Sequence, residues 1–236
     1  EIPLRLVGSE MCIRDRCYNI NMDYENYIWD LGGTLLDNYE SSSHAFAATL
    51  WSMAERVVLR TDVYDALKVS TAYAVEKYAS DLPGFLEEYK KLEAEELEKP
   101  ILFSGAKKVL TDLSVKGNKN FMISHRNHQV LTILSAAEID SYFTEVVTSD
   151  NGFKRKPAPE SINYLLNKYK LNPKKTVMIG DRPLDIEAGN AAGISTIYFD
   201  SSTDSTLSGQ AINTVSDGSL NSKPTHIIHQ LTEIIL

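Results

Sequence analysis

An aspartate at the end of an apolar stretch is the first residue of this sequence that could do chemistry. Asp30 follows Tyr27, Ile28 and Trp29, a run that suits a buried strand, and two glycines soon after it let the backbone turn sharply. An acid placed at the carboxyl end of a strand is a candidate nucleophile or metal ligand. An aspartate that opens an ordinary turn fits the same stretch equally well, so the choice depends on partners elsewhere in the chain.

A second polar cluster begins at the end of a strand predicted over residues 120–124. Ser124 brings a hydroxyl to the end of this predicted strand, and His125 stands directly after it. Asn127 and His128 come next, and a loop that caps the following helix with solvated side chains explains them equally well. Ser124 and His125 are therefore the candidate site residues of this cluster.

Two further stretches add a cation and a pair of acids. Lys156 is held against Pro157, ahead of a predicted helix, so its ammonium group can be aimed at a crevice, although three basic residues in a row are also common on surfaces. Asp181 and Asp185 lie on a predicted strand end and helix start. Two carboxylates at this spacing can converge on one cation.

From residue 101 onward, predicted strands and helices alternate. This alternation is typical of βαβ units and of a parallel sheet covered on both faces, and the strand before Asp30 belongs to that sheet. A long flexible loop is predicted at 200–223, then an edge strand at 225–228 and a closing helix at 230–236. The other strands are predicted at 120–124, 146–148, 176–180 and 196–199, and the helices at 104–117, 130–134, 159–169 and 186–192.

Residues 38–100 are predicted to form a helical insertion over the crevice. Residues 41–43 offer an N-cap to a first helix, Asp62 can cap a second, a third spans 72–78, and Pro100 ends a fourth. Apolar residues recur at helical spacing and are predicted to face inward at Phe46, Leu50, Met53 and Val57 in the first helix and at Phe85, Leu86, Tyr89 and Leu92 in the fourth.

Composition excludes several classes of function. A chain of 236 residues with 43% hydrophobic content can bury a full core, and its formal charge of −8 argues against general binding to nucleic acid or a membrane surface. No run approaches the roughly 18 apolar residues of a membrane span, and no signal peptide is recognisable, so the cytoplasm is the expected compartment. Residues 1–21 are predicted to be a non-native or disordered leader, which removes Cys12 and Cys17 from consideration for thiol chemistry. No feature predicts an oligomeric state.

Taken together and in this order, the four polar motifs resemble those of the haloacid dehalogenase-like hydrolase superfamily, over residues 27–199. The insertion resembles the α-helical cap of the branch that contains phosphoglycolate phosphatase and β-phosphoglucomutase. The resemblance implies an α/β fold in which residues 22–37 and 101–236 form a Rossmann-like, doubly wound parallel sheet core. The inserted α-helical cap domain is then residues 38–100.

The same resemblance implies a phosphatase that uses Mg²⁺ and an aspartyl-phosphate intermediate to hydrolyse a small phosphorylated metabolite. Asp30 would be the nucleophile, Thr34 would support its turn, and Ser124 and Lys156 would hold the transferring phosphoryl group. A carboxylate that attacks a phosphate approaches a group of like charge. Two unit charges of like sign about 4 Å apart repel by roughly 4 kcal/mol at an effective dielectric of 20, so cations are needed to offset the repulsion. The implied Mg²⁺ ligands are Asp30, Asp181, Asp185 and the backbone carbonyl of Gly32.

Gly32 departs from the family pattern. Phosphatases of the family carry a second aspartate at this position, which protonates the leaving group and then activates water, and such catalysis is typically worth about 10² to 10⁴-fold. Three explanations remain open. His125 supplies the proton, the substrate has a good leaving group as acyl phosphates do, or the protein binds a phosphorylated ligand without turning it over.

Two other branches of the family also lack the second acid. Dehalogenases carry a tyrosine there and need no Mg²⁺. The acid pair of the last motif, which can bind a cation, is present in this chain and argues against that alternative. Phosphonoacetaldehyde hydrolases combine an alanine with a cap lysine, for which Lys68 and Lys77 are available. His44 and Tyr39, near the start of the insertion, can face a leaving group, with core packing or solvent as the alternative for each.

Overall fold

The computed structural model describes residues 23–201 and 223–235. At the centre of this part of the chain lies a sheet of six strands, each parallel to its neighbours. The strands are β1 (Asn26–Trp29), β2 (Lys119–Ile123), β3 (Phe143–Val147), β4 (Thr176–Gly180), β5 (Ser195–Phe199) and β6 (His226–Ile228). They lie in the order β3-β2-β1-β4-β5-β6, which confirms the predicted Rossmann-like, doubly wound α/β class. The leader predicted at 1–21 and residues 202–222 of the predicted loop lie outside the described residues.

The strand that precedes Asp30 lies at the middle of the sheet. All four residues of β1 are buried between β2 and β4, as a parallel sheet covered on both faces requires. Tyr27 and Trp29 belong to the hydrophobic cluster on one face, and Ile28 belongs to the cluster on the other face. The Trp29 indole N–H donates a 3.0 Å hydrogen bond to Oδ1 of Asn120, so the buried polar atoms of this pair are satisfied. The strand is therefore a fixed base for the aspartate that follows it.

Helices cover both faces of the sheet. Apolar side chains of α5 (Ala106–Val115) and α6 (Gln129–Ala136) pack into the cluster that holds Trp29. Those of α7 (Glu160–Tyr169) and α8 (Pro183–Ala191) pack into the cluster that holds Ile28. The predicted closing helix is instead a short 3-10 helix, Leu231–Ile235, on the first face.

The inserted segment is entirely helical in its regular structure. It comprises α1 (Asn38–Ala54), α2 (Arg60–Val69), α3 (Thr71–Ala79) and α4 (Phe85–Glu96). These helices share a hydrophobic cluster of their own, in which the ring of Phe46 lies 4.7 Å from Phe85 and 5.1 Å from Tyr89. The predicted cap is thus a separately packed helical layer, and its boundaries at 38 and 100 stay a prediction.

Several details of this layer differ from the sequence-based prediction. Asp37, not a serine of 41–43, caps α1, because its side chain accepts the backbone N–H of Glu40 at 3.2 Å. The same helix ends at Ala54, since Glu55 adopts a left-handed conformation with φ 50°. The three apolar residues predicted to face inward but found exposed are Met53, Val57 and Leu86. In the second helix Asp62 lies inside the first turn rather than at the cap.

Two chain segments connect the helical layer to the sheet, and backbone hydrogen bonds pair them with each other. The N–H of Asp37 donates to the carbonyl of Ile101 at 2.7 Å, and the N–H of Phe103 donates to the carbonyl of Leu35 at 3.0 Å. The beginning of α1 is therefore anchored next to the turn that follows β1. Among the described residues, no helix has the length and apolar character needed to cross a membrane.

Candidate active site

The carboxyl ends of three neighbouring strands bring the predicted motifs together. Asp30 directly follows β1, Ser124 directly follows β2, and Asp181 directly follows β4. Because β1 lies between β2 and β4, these three residues meet at one edge of the sheet. Ligands of open parallel sheets bind at this edge.

Three carboxylates form the centre of the site. Asp30, Asp181 and Asp185 each offer an oxygen atom within 4.8 Å of the other two. Burial raises the pKa of both Asp181 and Asp185, and the negative charge of Asp30 adds to each increase. Carboxylate oxygens crowded in this way suit a hard divalent cation, whose charge would offset their repulsion. The predicted acid cluster is thus present and can hold a metal ion.

Two glycines make room for these acids. A Cβ atom on Gly33, whose φ is +85°, would overlap with the Asp181 carboxylate. A Cβ atom on Gly180, the last residue of β4, would overlap with the side chain of Asp185. Both carboxylates therefore reach the site only because the neighbouring backbone carries no side chain.

Lys156 inserts its ammonium group into the acid cluster. Its Nζ lies 2.5 Å from Oδ1 of Asp30 and 2.6 Å from Oδ1 of Asp185, and it also donates to the carbonyl of Ile123 at 3.3 Å. Burial lowers the pKa of Lys156, but the charges of Asp185 and Asp30 outweigh burial, so the pKa stands above its usual value. The lysine is therefore a fixed positive charge beside the candidate nucleophile.

His125 contacts the same lysine through the backbone. Its Nε2 accepts the N–H of Lys156 at 3.1 Å, and its own carbonyl accepts an N–H of the Arg155 guanidinium at 3.2 Å. Burial, followed by the positive charges of Lys156 and Arg155, lowers the pKa of His125 to about 4. A neutral ring whose Nε2 is already an acceptor suits a positioning residue better than a general acid.

The two hydroxyl residues lie at the predicted edge. The buried Thr34 donates from Oγ1 to Oδ1 of Asp181 at 3.4 Å, and its backbone N–H donates to the carbonyl of Leu31 within the turn. Ser124 is also buried, and its Oγ accepts the backbone N–H of Arg126 at 3.2 Å. Gly32 occupies the same turn, in which the N–H of the next residue, Gly33, donates to the carbonyl of Leu36 at 2.9 Å.

Comparison with known proteins identifies the family of this chain. Residues 27–199 match the family model described as haloacid dehalogenase-like hydrolase. The chain belongs to this family. The predicted enzyme class, a hydrolase, is thereby confirmed.

Relatives of this haloacid dehalogenase-like hydrolase carry phosphatase names. It is 27% identical to a phosphoglycolate phosphatase of Aquifex aeolicus, over 72% of this chain and 81% of the relative. It is 26% identical to pyrophosphatase PpaX of Bacillus mycoides, over 75% and 83%. Among solved structures, a hydrolase from Streptococcus pneumoniae TIGR4 is 52% identical with a TM-score of 0.69, covering 81% of this chain and 99% of that chain.

The structure of this hydrolase also brings Tyr39 to the candidate site, a residue whose location the sequence did not decide. Tyr39, near the start of α1, donates from its hydroxyl to Oδ2 of Asp181 at 3.2 Å and accepts an N–H of Arg182 at 3.2 Å. Burial, and then the charge of Asp181, raise the pKa of Tyr39, so the hydroxyl keeps its proton. The position of Tyr39 just after the glycine turn was the sequence signal for a site residue. Its hydrogen-bond partner could not be predicted, because it depends on how α1 is oriented against the sheet.

The remaining polar candidates lie elsewhere. His44 is exposed and pairs with Glu96 at 3.0 Å, and His128 is exposed and pairs with Asp150, as a solvated loop predicts. In the helical layer, Lys68 donates to Ser201 at 3.3 Å and Lys77 is exposed beside the ring of Tyr78. These contacts give no support to a cap lysine that acts as a nucleophile.

Proposed function

We propose that this hydrolase is a Mg²⁺-dependent phosphatase that cleaves a small phosphorylated metabolite through an aspartyl-phosphate, in the manner of phosphoglycolate phosphatase. The observation that carries the proposal is the position of Lys156 between Asp30 and Asp185 inside a cluster of three carboxylates. Phosphoryl transfer to a carboxylate requires positive charge around the reacting group. Lys156 supplies one such charge, and the carboxylates would supply a second by holding a cation. The phosphatase names of the relatives support the same reaction.

The proposal assigns a role to each residue on the basis of its position. A carboxylate oxygen of Asp30 attacks phosphorus, while the ammonium group of Lys156 and the hydroxyl of Ser124 hold the phosphoryl oxygens. Asp30, Asp181, Asp185 and the carbonyl of Gly32 would hold Mg²⁺, which supplies charge neutralisation when bound. The layer of α1–α4 would act as a cap that excludes water and contacts the rest of the substrate.

Phosphate release from an aryl phosphate tests the proposal. Turnover with Mg²⁺, absent in EDTA and lost in Asp30→Asn, would support it. Asp65→Asn is the matched control, because Asp65 is an exposed carboxylate on α2. Unchanged activity in Asp30→Asn would exclude an aspartyl-phosphate at this residue.

A protein that binds a phosphorylated ligand without turnover is the alternative that Gly32 suggests. Under that alternative, phosphate or a phosphate analogue raises the melting temperature, and no compound in a broad panel of phosphate esters and anhydrides is hydrolysed. Turnover of any panel member by the wild type, but not by Asp30→Asn, would exclude it.

A further inference from the structure

The space left by Gly32 is filled by a side chain from the helical layer. A Cβ atom on Gly32 would lie 2.8 Å from Oδ1 and 3.4 Å from Cγ of Asn38, the first residue of α1. A separation of 2.8 Å is closer than real Cβ atoms approach an oxygen, so an aspartate at this position would require the Asn38 carboxamide, the end of a flexible side chain, to move aside. Asn38 therefore stands at the place where the family's second aspartate would begin.

The carboxamide of Asn38 has an unused acceptor. Its Oδ1 is buried, and among the described residues no donor forms a hydrogen bond with it. A buried carbonyl without a partner is unfavourable, so such atoms are usually satisfied by a ligand or an ordered water. The atom lies against Gly32, in the turn that follows the candidate nucleophile, so this free acceptor is next to the candidate site.

The neighbours of Asn38 hold it in place. Asp37 caps the helix and is tied to Ile101 through its N–H, while Tyr39 is tied to Asp181 and Arg182. These contacts fix the chain on both sides of Asn38, at the first turn of α1. Its position is thus a built feature of the first turn of α1.

We propose that Asn38 takes the place of the general acid and restricts this hydrolase to phosphorylated compounds whose leaving group departs as an anion. The classes that meet this condition are acyl phosphates, phosphoanhydrides and aryl phosphates. The inference rests on the proposed phosphatase function and narrows its substrate class. Phosphoglycolate, whose leaving group is an alcohol, is then a poorer substrate than pyrophosphate.

The chemistry of a carboxamide explains the restriction. When an oxygen of Asp30 bonds to phosphorus, the bond from phosphorus to the leaving oxygen breaks and its electron pair stays on that oxygen. The Asn38 side chain can donate or accept a hydrogen bond but gives up no proton at neutral pH. The leaving group departs as an anion. A carboxylate or phosphate keeps its charge at neutral pH, whereas an alkoxide takes a proton from solvent. Water then attacks the aspartyl-phosphate, the bond to Asp30 breaks, and both protons of that water end on the released dihydrogen phosphate.

The test measures kcat/KM in Mg²⁺ for a series of substrates of increasing leaving-group basicity: acetyl phosphate, nitrophenyl phosphate, phenyl phosphate and an alkyl phosphate. The wild type is expected to lose activity steeply along the series. Gly32→Asp combined with Asn38→Ala restores a carboxylate in an open space, and we expect it to hydrolyse the alkyl phosphate about 10²-fold faster than the wild type or more. Gly32→Asp alone should gain less, because the carboxamide still occupies the space.

Controls separate this inference from the proposed function. Asn163→Ala, an exposed asparagine on α7, should leave the series unchanged. An active wild type with a shallow series, or a double variant with no gain on the alkyl phosphate, would overturn the role of Asn38 while leaving the phosphatase intact. An inactive wild type would overturn the substrate restriction together with the proposed function, even if the double variant gained activity.

Discussion

The hydroxyl of Tyr39 donates a 3.2 Å hydrogen bond to Oδ2 of Asp181. This contact joins the first turn of the helical layer to a carboxylate at the end of β4, across 142 positions of the chain. The same hydroxyl accepts an N–H of Arg182 at 3.2 Å, so the orientation of Asp181 is fixed from the insertion as well as from the sheet. A residue of the helical layer thus orients one of the three acids.

Tyr39→Phe is expected to weaken Mg²⁺ binding by about 10-fold, because partners that orient a metal ligand typically contribute 10- to 100-fold in affinity or activity. Phenylalanine keeps the ring packing against Tyr64, whose centroid lies 5.8 Å away, so the fold should be retained. The measurement is a Mg²⁺ titration of activity or of thermal stability. Tyr73→Phe, at an exposed tyrosine on α3, is the control, and equal behaviour of the two variants would contradict the orienting role.

Lys156→Met should cost at least about 10² in kcat, because removal of a single charge-stabilising donor typically costs 10²–10³. In EDTA the variant should also be destabilised by about 3 kcal/mol, since removing one partner leaves Asp30 and Asp185 uncompensated. Mg²⁺ should recover part of that stability but not the activity.

The neighbouring Lys154 provides the matched control for this substitution. Its side chain is 80% exposed and pairs with Glu160 at the surface, so Lys154→Met should change stability by no more than about 0.5 kcal/mol. Urea unfolding of both variants, with and without Mg²⁺, measures the difference. Full activity in Lys156→Met would show that the buried lysine has a structural role only.

Gly33→Ala should abolish most activity, whereas Gly84→Ala should not. Both glycines have positive φ, at +85° and +79°, so both substitutions carry a backbone cost of about 1–2 kcal/mol. Only at Gly33 would the new Cβ overlap with the Asp181 carboxylate, while no atom lies within 4 Å at Gly84. A displaced ligand of this kind can cost about 10²-fold in rate. Similar activity in the two variants would show that the backbone strain, and not the displacement of Asp181, decides the outcome.

Residues placed by strand ends were predictable from the sequence. Apolar runs that stop at Asp30, Ser124 and Asp181 identify buried strands, and the carboxyl ends of parallel strands share one edge of a sheet. The order of the motifs along the chain therefore predicted their convergence without any knowledge of tertiary contacts. Whether Lys156 faces the site or the solvent was harder to predict, because a lysine in a run of basic residues is often exposed.

Residues placed by the packing of helices were not predictable. Asn38 and Tyr39 lie in the first turn of α1. Which of their side chains points toward the sheet depends on the direction that the helix takes after Leu36. Apolar spacing also predicted Val57 to face inward, but Glu55 ends α1 with a left-handed residue, and Val57 is 81% exposed. Periodicity describes a face only for as long as the helix continues.

Protonation of His125 opposes folding. Its pKa is lowered from the usual 6.5 to about 4, first by burial and then by the charges of Lys156 and Arg155. Between these pH values the unfolded chain binds a proton that the folded protein does not bind. Folding stability therefore decreases as the pH falls from about 6.5 toward about 4, and the contribution is absent above the upper value.

His125→Gln removes this titration and keeps an acceptor for the backbone N–H of Lys156, which His125 Nε2 accepts at 3.1 Å. We expect the free energy of unfolding of the variant to fall less than that of the wild type between about pH 6.5 and about pH 4.5, measured by urea unfolding in EDTA. Activity near neutral pH should stay within about 10-fold of the wild type, because a neutral positioning residue transfers no proton, whereas loss of a general acid would cost about 10² to 10⁴-fold. His44→Gln, at an exposed histidine on α1, controls for the loss of an imidazole elsewhere. A large loss of activity with an unchanged pH dependence of stability would instead return His125 to the role of proton donor.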